Sequence, residues 1–251
     1  MSIAYNKNKA AVNDPSLQDN VVLTPPLRKM IIAVDGPAAS GKGTLARKIA
    51  ERLNYAYLDT GALYRAVALA TLEMAGEPSR VESVMPAVDI IKRNLTTALL
   101  ESPVLRKPEV SEAASKVAAI PEVRAALLDF QRDFAKNPPG DVGGAVLDGR
   151  DIGTVVCPNA DVKFFVTANP EARAERRFKE LLWTHPLITL ERVLSDITQR
   201  DKRDSGREFA PTYPAGDAYL LDTTKLSAND VLDTAIWTLH KKFLAETGAN
   251  I

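Results

Sequence analysis

Hydrophobic and polar positions divide most of the chain into two alternating kinds of segment. Short, continuous apolar runs are typical of buried strands, and they occupy residues 30–35, 56–59, 145–148, 163–167 and 218–222. Longer stretches between these runs are predicted to be helical, and they cover residues 42–53, 62–74, 121–135, 170–183, 189–202 and 228–244. Strands and helices in alternation predict an α/β fold in which helices surround a parallel sheet.

Two segments depart from this alternation. Residues 1–29 are polar and aperiodic, which predicts a flexible N-terminal extension. From residue 75 to residue 108 the pattern lapses into one short predicted helix and a stretch without a clean period, which indicates an inserted subdomain at about residues 76–139. A turn-rich segment, PPGDVGG, then returns the chain to the sheet. We therefore assign residues 30–75 and 140–251 to the core.

The composition excludes several classes of protein. A chain of 251 residues with 45% hydrophobic residues can bury roughly three quarters of its unfolded surface, so it is neither disordered nor held together by disulfides. The 32 basic and 32 acidic residues give a net charge of zero, which argues against nucleic acid or an anionic membrane as a partner. The single cysteine, Cys157, and the absence of an apolar run of about 18 residues or a signal-peptide pattern predict a cytoplasmic protein.

The first predicted strand and helix enclose a glycine-rich segment, IIAVDGPAASGKGT. Gly36, Gly41 and Lys42 have the G-x-x-x-x-G-K spacing of a P-loop, in the strand-to-helix context that this motif requires. Backbone N–H groups in such a loop close around phosphate oxygens, and the lysine bridges the terminal phosphates. The residues predicted to hold nucleotide phosphates are Gly36, Pro37, Ala38, Ala39, Ser40, Gly41, Lys42, Gly43 and Thr44.

One position departs from the usual motif. Gly43 follows Lys42 where a P-loop has Ser or Thr, and the hydroxyl comes one residue later, at Thr44. Thr44 is therefore the candidate contact for Mg²⁺, and whether it reaches the metal is left open. An ordinary glycine-rich turn would explain the glycines, but it would not explain the lysine that follows them.

Arginine is concentrated in one part of the chain. Eight of the 17 arginines fall between residues 150 and 207, and guanidinium groups bind phosphate through paired hydrogen bonds. Such a cluster suits a reaction between two phosphates, because two unit charges 4 Å apart repel by about 4 kcal/mol at an effective dielectric constant of 20. A phosphate acceptor is already ionised and needs no general base, so we expect neither His185 nor His240 to be catalytic.

Four segments together resemble the bacterial cytidylate kinase family: GPAASGKGT, LDTGALYR, DGRDIGTVVCP and QRDKRDSGR. The resemblance runs from about residue 30 to the C-terminus. It implies the P-loop nucleoside monophosphate kinase fold, with a parallel five-stranded sheet, a base-binding insert and a lid at about residues 173–207. It further implies transfer of the ATP γ-phosphoryl group to CMP or dCMP, with Mg²⁺ bound as Mg-ATP, and we expect a monomer.

The same resemblance implies roles for individual residues. Those implied to be catalytic are Lys42, Arg150, Arg200 and Arg207. Arg176 is implied to contact ATP, in addition to the P-loop residues. Those assigned to the CMP site are Thr60, four arginines for the phosphate (Arg65, Arg150, Arg200, Arg207), Asp204 for the ribose, and Ser115, Arg124 and Asp151 for the base. Cytosine chemistry agrees, because its amino group needs a carboxylate acceptor and its N3 and O2 atoms need donors.

Several of these residues also have a simpler explanation. Arg65 could be a solvated charge on a helix, and Asp151 could be the N-cap of a turn. Asp148 could be no more than a strand-end residue, and its magnesium role is left open. Ser115 and Arg124 lie on predicted helices, where these residue types are commonplace.

Two further features bear on the family pattern. Arg173, Arg176 and Arg177 share one face of a helix that leads into the lid in this family, and an ordinary solvated face is the alternative. Longer family members insert a small three-stranded sheet in the base-binding region. Residues 90–108 show little strand alternation, which predicts a reduced insert here.

Two other functions are compatible with a P-loop. One is a kinase of the same fold with another acceptor, such as UMP, AMP or shikimate. The other is a P-loop switch protein that binds a nucleotide without fast phosphoryl transfer, and the concentration of arginine argues against it. A panel of acceptors would separate these functions from transfer to a cytidine nucleotide.

Overall fold

A five-stranded parallel sheet lies at the centre of the computed structural model, which describes residues 28–247. Its strands are β1 (Met30–Asp35), β2 (Ala56–Asp59), β3 (Gly144–Gly149), β4 (Val162–Thr167) and β5 (Tyr219–Asp222). They are arranged in the order β2-β3-β1-β4-β5, and every neighbouring pair is parallel. This arrangement confirms the predicted sheet. Most of the predicted extension at residues 1–29 lies outside the described residues.

Helices follow the strands in chain order. They are α1 (Lys42–Leu53), α2 (Thr60–Glu73), α3 (Val81–Asn94), α4 (Thr97–Glu101), α5 (Pro108–Val117), α6 (Pro121–Lys136), α7 (Pro170–Leu181), α8 (Leu190–Ser205) and α9 (Ala228–Thr247). A 3₁₀ turn covers Pro103–Arg106 and a π-helical turn covers Ile152–Val156. Helix α8 continues beyond its predicted end at residue 202, because the N–H of Gly206 still bonds to the carbonyl of Lys202. Asp204 is therefore held on a helix.

Each face of the sheet is covered by an apolar layer. Side chains alternate between the two faces along a strand, so Ile32 and Val34 of β1 pack with α1 and α9, whereas Ala33 packs with α6 and the π-helical turn. Because all five strands are parallel, their carboxyl ends meet at one edge, which is where ligands bind in open α/β sheets. Asp35 and Asp59 end their strands at that edge.

The insert forms a separate helical layer. Helices α3 to α6 pack against α2 through buried residues that include Leu63, Val67, Val84 and Leu127. Residues 76–139 contain helices and no strand. Residues 90–108 fold as the end of α3, the short α4 and the 3₁₀ turn, and they contain no strand, as the lack of strand alternation in the sequence predicts.

Cys157 provides a test of the core. The residue is buried in the apolar layer beside β3, and burial raises the pKa of its thiol to about 11. Because the thiolate is the reactive form, we expect the native protein to react with DTNB at pH 8 about 100-fold more slowly than the urea-unfolded chain. The two rates can be followed by absorbance, and a native rate within tenfold of the unfolded rate would contradict this burial.

Candidate active site

The loop between β1 and α1 has the backbone geometry of a phosphate cradle. Gly36 has a φ of 150°, and a Cβ at this position would lie 2.0 Å from the carbonyl oxygen of Val166, so only glycine fits between β1 and β4. Gly41 precedes α1, whose first N–H groups have no partner within the helix. The predicted P-loop thus lies at the carboxyl edge of the sheet.

Lys42 and Asp148 face each other beside this loop, with Lys42 Nζ 3.9 Å from Asp148 Oδ1. Burial and, to a smaller extent, the charge of Arg150 lower the pKa of Lys42 to about 8. Burial also raises the pKa of Asp148, whose Oδ2 accepts a hydrogen bond from the Tyr57 hydroxyl at 2.8 Å. A Cβ on Gly43 would lie 2.9 Å from the same Oδ2 atom. Glycine in place of the usual Ser or Thr therefore gives the Asp148 carboxylate room beside α1.

Asp204 is the centre of a cluster of arginines. Its carboxylate accepts hydrogen bonds from Arg150 Nε at 3.1 Å and Arg207 Nη2 at 2.5 Å, and Arg200 Nε lies 3.7 Å away. Burial opposes ionisation of this carboxyl, but the arginine charges hold the pKa of Asp204 below its usual value. Burial and, to a smaller extent, the charge of Arg150 lower the pKa of Arg200 to about 10. Three positive charges share one carboxylate, and this excess of positive charge suits a phosphate group.

Arg65 of α2 is paired inside the site and is not a solvated charge. Its Nη2 donates a hydrogen bond to Asp59 Oδ2 at 2.6 Å. The hydroxyl of Thr60, the residue after Asp59, donates to the carbonyl of Asp148 at 2.7 Å. Burial opposes ionisation of Asp59, but the charges of Arg65 and Lys42 outweigh it and hold the pKa of Asp59 below its usual value. Sequence reasoning missed Asp59. Its place at the end of a predicted parallel strand is the signal that could have found it.

Arg124 of α6 and Asp151, which follows β3, form another, largely buried ion pair. Burial raises the pKa of Asp151, and the charge of Arg124 opposes that effect. Arg124 also lies over the ring of Tyr64, 5.7 Å from its centroid. Ser115 Oγ donates to Asp204 Oδ1 at 3.3 Å. Asp151 occupies the N-cap position of the π-helical turn that follows it, but its side chain makes no capping hydrogen bond there and pairs with Arg124 instead.

One cavity of about 700 Å³ connects these groups. It reaches from the P-loop to the arginine cluster and the Arg124–Asp151 pair. The predicted site residues on its wall are Ala38, Ala39, Lys42, Thr60, Arg65, Ser115, Arg124, Arg150, Asp151, Arg200, Asp204 and Arg207. The predicted residues that do not line it are Gly36, Pro37, Ser40, Gly41, Gly43, Thr44 and Arg176.

A family model described as cytidylate kinase matches residues 32–241 of the chain. The chain belongs to the cytidylate kinase family. A cytidylate kinase of Rhodospirillum rubrum is 53% identical over 213 residues, which are 85% of this chain and 98% of that protein. A cytidylate kinase of Azorhizobium caulinodans is 54% identical over 207 residues, which are 82% of this chain and 96% of that protein. As a member of the cytidylate kinase family, the protein is a nucleotide-binding phosphotransferase with a phosphate group as acceptor.

A solved structure shares this fold at low sequence identity. The crystal structure of an uncharacterized protein from Eubacterium ventriosum matches with a TM-score of 0.50 at 14% identity, covering 84% of this chain and 98% of that chain. This likeness concerns the fold alone. In the part of this cytidylate kinase family member that the structure describes, no helix has the length and apolar content needed to cross a membrane.

The three arginines on α7 have different surroundings in this cytidylate kinase family member. Arg173 is buried and donates to carbonyl oxygens of the P-loop and of Ala168, in the segment between β4 and α7, so the solvated-face explanation is wrong for this residue. Arg176 donates to the hydroxyl and the carbonyl oxygen of Thr223. Its predicted contact with ATP stays a prediction. Arg177 lies on the cavity wall and pairs with Glu180 at 3.0 Å.

Sequence reasoning also missed Asp35, the last residue of β1. Its two carboxylate oxygens accept hydrogen bonds from the N–H groups of Ile152 and Gly153, at 2.8 and 2.7 Å. Burial raises the pKa of Asp35 to about 7. Asp35 thereby connects β1, the strand before the P-loop, to the π-helical turn that follows Arg150 and Asp151.

Proposed function

We propose that the protein is a cytidylate kinase that transfers the γ-phosphoryl group of ATP to CMP or dCMP, giving ADP and CDP or dCDP. One observation carries the proposal: a single cavity runs from Lys42 to the arginine cluster around Asp204. Cationic groups in both parts of one cavity suit two substrates that each carry phosphate. The names of the relatives support cytidine monophosphates as the acceptor.

The P-loop is the proposed site for the ATP phosphates. N–H groups at the start of α1 donate to phosphate oxygens, and Lys42 contacts the terminal phosphates. The pKa of Lys42 is lowered to about 8 in the ligand-free protein. A phosphate beside the amine favours its protonated form, so ATP binding keeps this lysine charged.

The arginine cluster is the proposed site for the acceptor phosphate. An oxygen of the CMP phosphate attacks the γ-phosphorus of ATP in line, and the bond from that phosphorus to the bridging oxygen of ADP breaks as the new bond forms. Arg150, Arg200 and Arg207 hold the acceptor and reduce the repulsion between the two phosphates. The attacking oxygen is already ionised, so no side chain has to remove a proton.

The acidic side chains of the cavity fit a magnesium ion. Mg²⁺ prefers oxygen ligands and is usually held by one or two carboxylates together with water and substrate phosphates. Asp148 and Asp59 provide such carboxylates beside Lys42, and the described residues contain no cluster of three or more metal-binding side chains that would form a closed cage. We propose that Asp148 holds the ion. Thr44, the contact predicted from the sequence, does not line this cavity, and its role stays a prediction. When bound, Mg²⁺ would neutralise charge on the ATP phosphates.

The proposed lid, residues 173–207, contains most of α7, all of α8 and the loop between them. Leu181, Val193 and Ile197 form its small apolar core and also line the cavity. Closure of this region over the substrates would exclude water, which would otherwise accept the phosphoryl group. His185 lies in the lid loop on the cavity wall, and the proposed reaction assigns it no proton transfer.

Asp151 is the proposed acceptor for the cytosine amino group, with Arg124 and Ser115 as donors to its ring. Asp151→Asn replaces an acceptor oxygen with an amino group, so a mismatched polar pair worth about 1–3 kcal/mol would face CMP. We expect the KM for CMP to rise about 10–100-fold and the KM for ATP to change less than about threefold. Steady-state kinetics with each substrate varied in turn measures both values.

Asp141→Asn is the matched control, because Asp141 is exposed and lies outside the cavity wall. It should leave both KM values unchanged. Equal losses of CMP and ATP affinity in Asp151→Asn would contradict the base-reading role.

A coupled ADP-release assay with CMP, dCMP, UMP, AMP and shikimate tests the proposed function. We expect rapid turnover with a cytidine nucleotide and much slower turnover with the other acceptors. Faster turnover with UMP, AMP or shikimate would identify a different acceptor, and ATP binding without transfer to any acceptor would favour a switch protein. Light scattering of the same preparation tests the proposed monomer.

A further inference from the structure

Arg173 joins three segments of the fold through one guanidinium group. Its Nε donates to the carbonyl of Ala168 at 2.9 Å and its Nη1 to the carbonyl of Ala38 at 3.2 Å. Its Nη2 lies 2.6 Å from Asp201 Oδ2, and the Arg173 side chain is only 4% exposed. Ala38 belongs to the P-loop and Asp201 belongs to α8. One buried side chain therefore connects the donor site to the helix that carries Arg200.

The contact with Ala38 fixes a peptide group of the P-loop. The described peptides are not cis, and in a trans peptide the C=O and N–H groups point in opposite directions. With the Ala38 carbonyl held by Arg173, the N–H of Ala39 points away from Arg173. Ala39 has a φ of 56°, a left-handed conformation that alanine rarely adopts without support from its surroundings. The same residue packs against the apolar core of α7 and α8.

The contact with Asp201 fixes α8 beside the acceptor site. Asp201 directly follows Arg200 and precedes Asp204 by less than one helical turn, so a displacement of Asp201 moves both residues. Asp201 Oδ1 is buried and has no hydrogen-bond partner, so Arg173 supplies the contact that holds this carboxylate. The position of Arg200 relative to the P-loop therefore depends on Arg173.

We infer that Arg173 is a positioning residue that couples the P-loop to α8 and sets the separation between the ATP phosphates and the acceptor arginines. This inference rests on the proposed function. The three oxygen atoms that Arg173 contacts, on Ala168, Ala38 and Asp201, lie on different segments, and the planar guanidinium reaches all of them at once. A lysine keeps the charge but presents one nitrogen, so Arg173→Lys separates the geometry of the contact from its charge.

Kinetic measurements on Arg173→Lys test the coupling. Each half of the site keeps its own binding groups, so we expect kcat to fall at least tenfold while the KM values for ATP and CMP change less than threefold. Asp201→Asn should give a similar pattern. The kcat of the double variant should be little lower than that of the more impaired single variant. Lys179→Ala, an exposed position on the same helix, is the matched control and should retain the wild-type kcat. A kcat within threefold of wild type in Arg173→Lys, or fully additive losses in the double variant, would overturn the inference.

Hydrogen exchange of the ligand-free protein tests the same contact without catalysis. In Arg173→Lys we expect faster exchange in two separate segments, residues 36–41 and 197–205, with no change in α6. Faster exchange in only one of the two, in neither, or in the whole chain would overturn the coupling. Absence of turnover in the wild-type protein would instead count against the proposed function, so the two failures are distinguishable.

Discussion

Replacing Lys42 with methionine is expected to lower kcat for CMP phosphorylation by about 10²–10³-fold, which is the loss seen when one preorganised group is removed from a charged transition state. The Lys42 side chain, at the start of α1, is 13% exposed and lines the cavity that also holds the arginine cluster. Methionine keeps the length and apolar stem of the side chain, so the change removes the charge with little effect on packing. A coupled ADP-release assay at saturating ATP and CMP measures the effect.

Lys48→Met is the matched control for this prediction. Lys48 lies on the same helix, and its amine bonds to Asn229 at an exposed position, 2.9 Å away. Its removal should change kcat by less than about twofold and stability by less than about 0.5 kcal/mol. If Lys42→Met retained more than a tenth of the wild-type kcat, the proposed role of Lys42 would be wrong.

Asp204→Asn is expected to lower the free energy of unfolding by about 3 kcal/mol, because it leaves buried arginine charges without their shared carboxylate. The Asp204 side chain is 4% exposed and accepts hydrogen bonds from Arg150 and Arg207. The asparagine keeps the shape but carries no charge, and its amino group would face a guanidinium donor. Urea unfolding followed by circular dichroism measures the change.

Asp196→Asn provides the comparison on the same helix. Asp196 pairs with a single exposed arginine, Arg192, at 3.1 Å and i,i+4 spacing. Exposed pairs of this kind contribute at most about 1 kcal/mol. Equal destabilisation by the two substitutions would show that the buried cluster is worth no more than a surface ion pair.

The sheet could be predicted because its strands are continuous apolar runs, which both buried faces require. The helices of the insert gave a weaker signal. Helix α4 has five residues and none of them is buried, so it produces no hydrophobic period. Helix α3 contains Pro86 in its interior, which weakens a prediction of regular helix across residues 81–94.

The phosphate-binding residues could be predicted because glycine, lysine and arginine occur in recognisable motifs. Their carboxylate partners could not be predicted in the same way, since the pairs join distant segments. Asp148 meets Lys42 only when β3 lies beside β1, and Asp201 meets Arg173 only when α7 and α8 pack together. No spacing in the sequence records these contacts. From the sequence alone, the charged face of α7 was therefore compatible with exposure to solvent. In the fold, packing against α8 buries Arg173.

The central place of β1 in the sheet has a consequence for synthesis on the ribosome. Both neighbours of β1 follow the helical insert in the chain, although β1 precedes it. At about 5–20 residues per second, translation needs roughly 5–25 s to reach β3 after β1 has been made. During that interval the backbone N–H and C=O groups along both edges of this apolar strand have no strand to pair with, which exposes the nascent chain to aggregation. Gly36 packs on Val166 of β4, so the phosphate cradle forms only after that later strand has emerged.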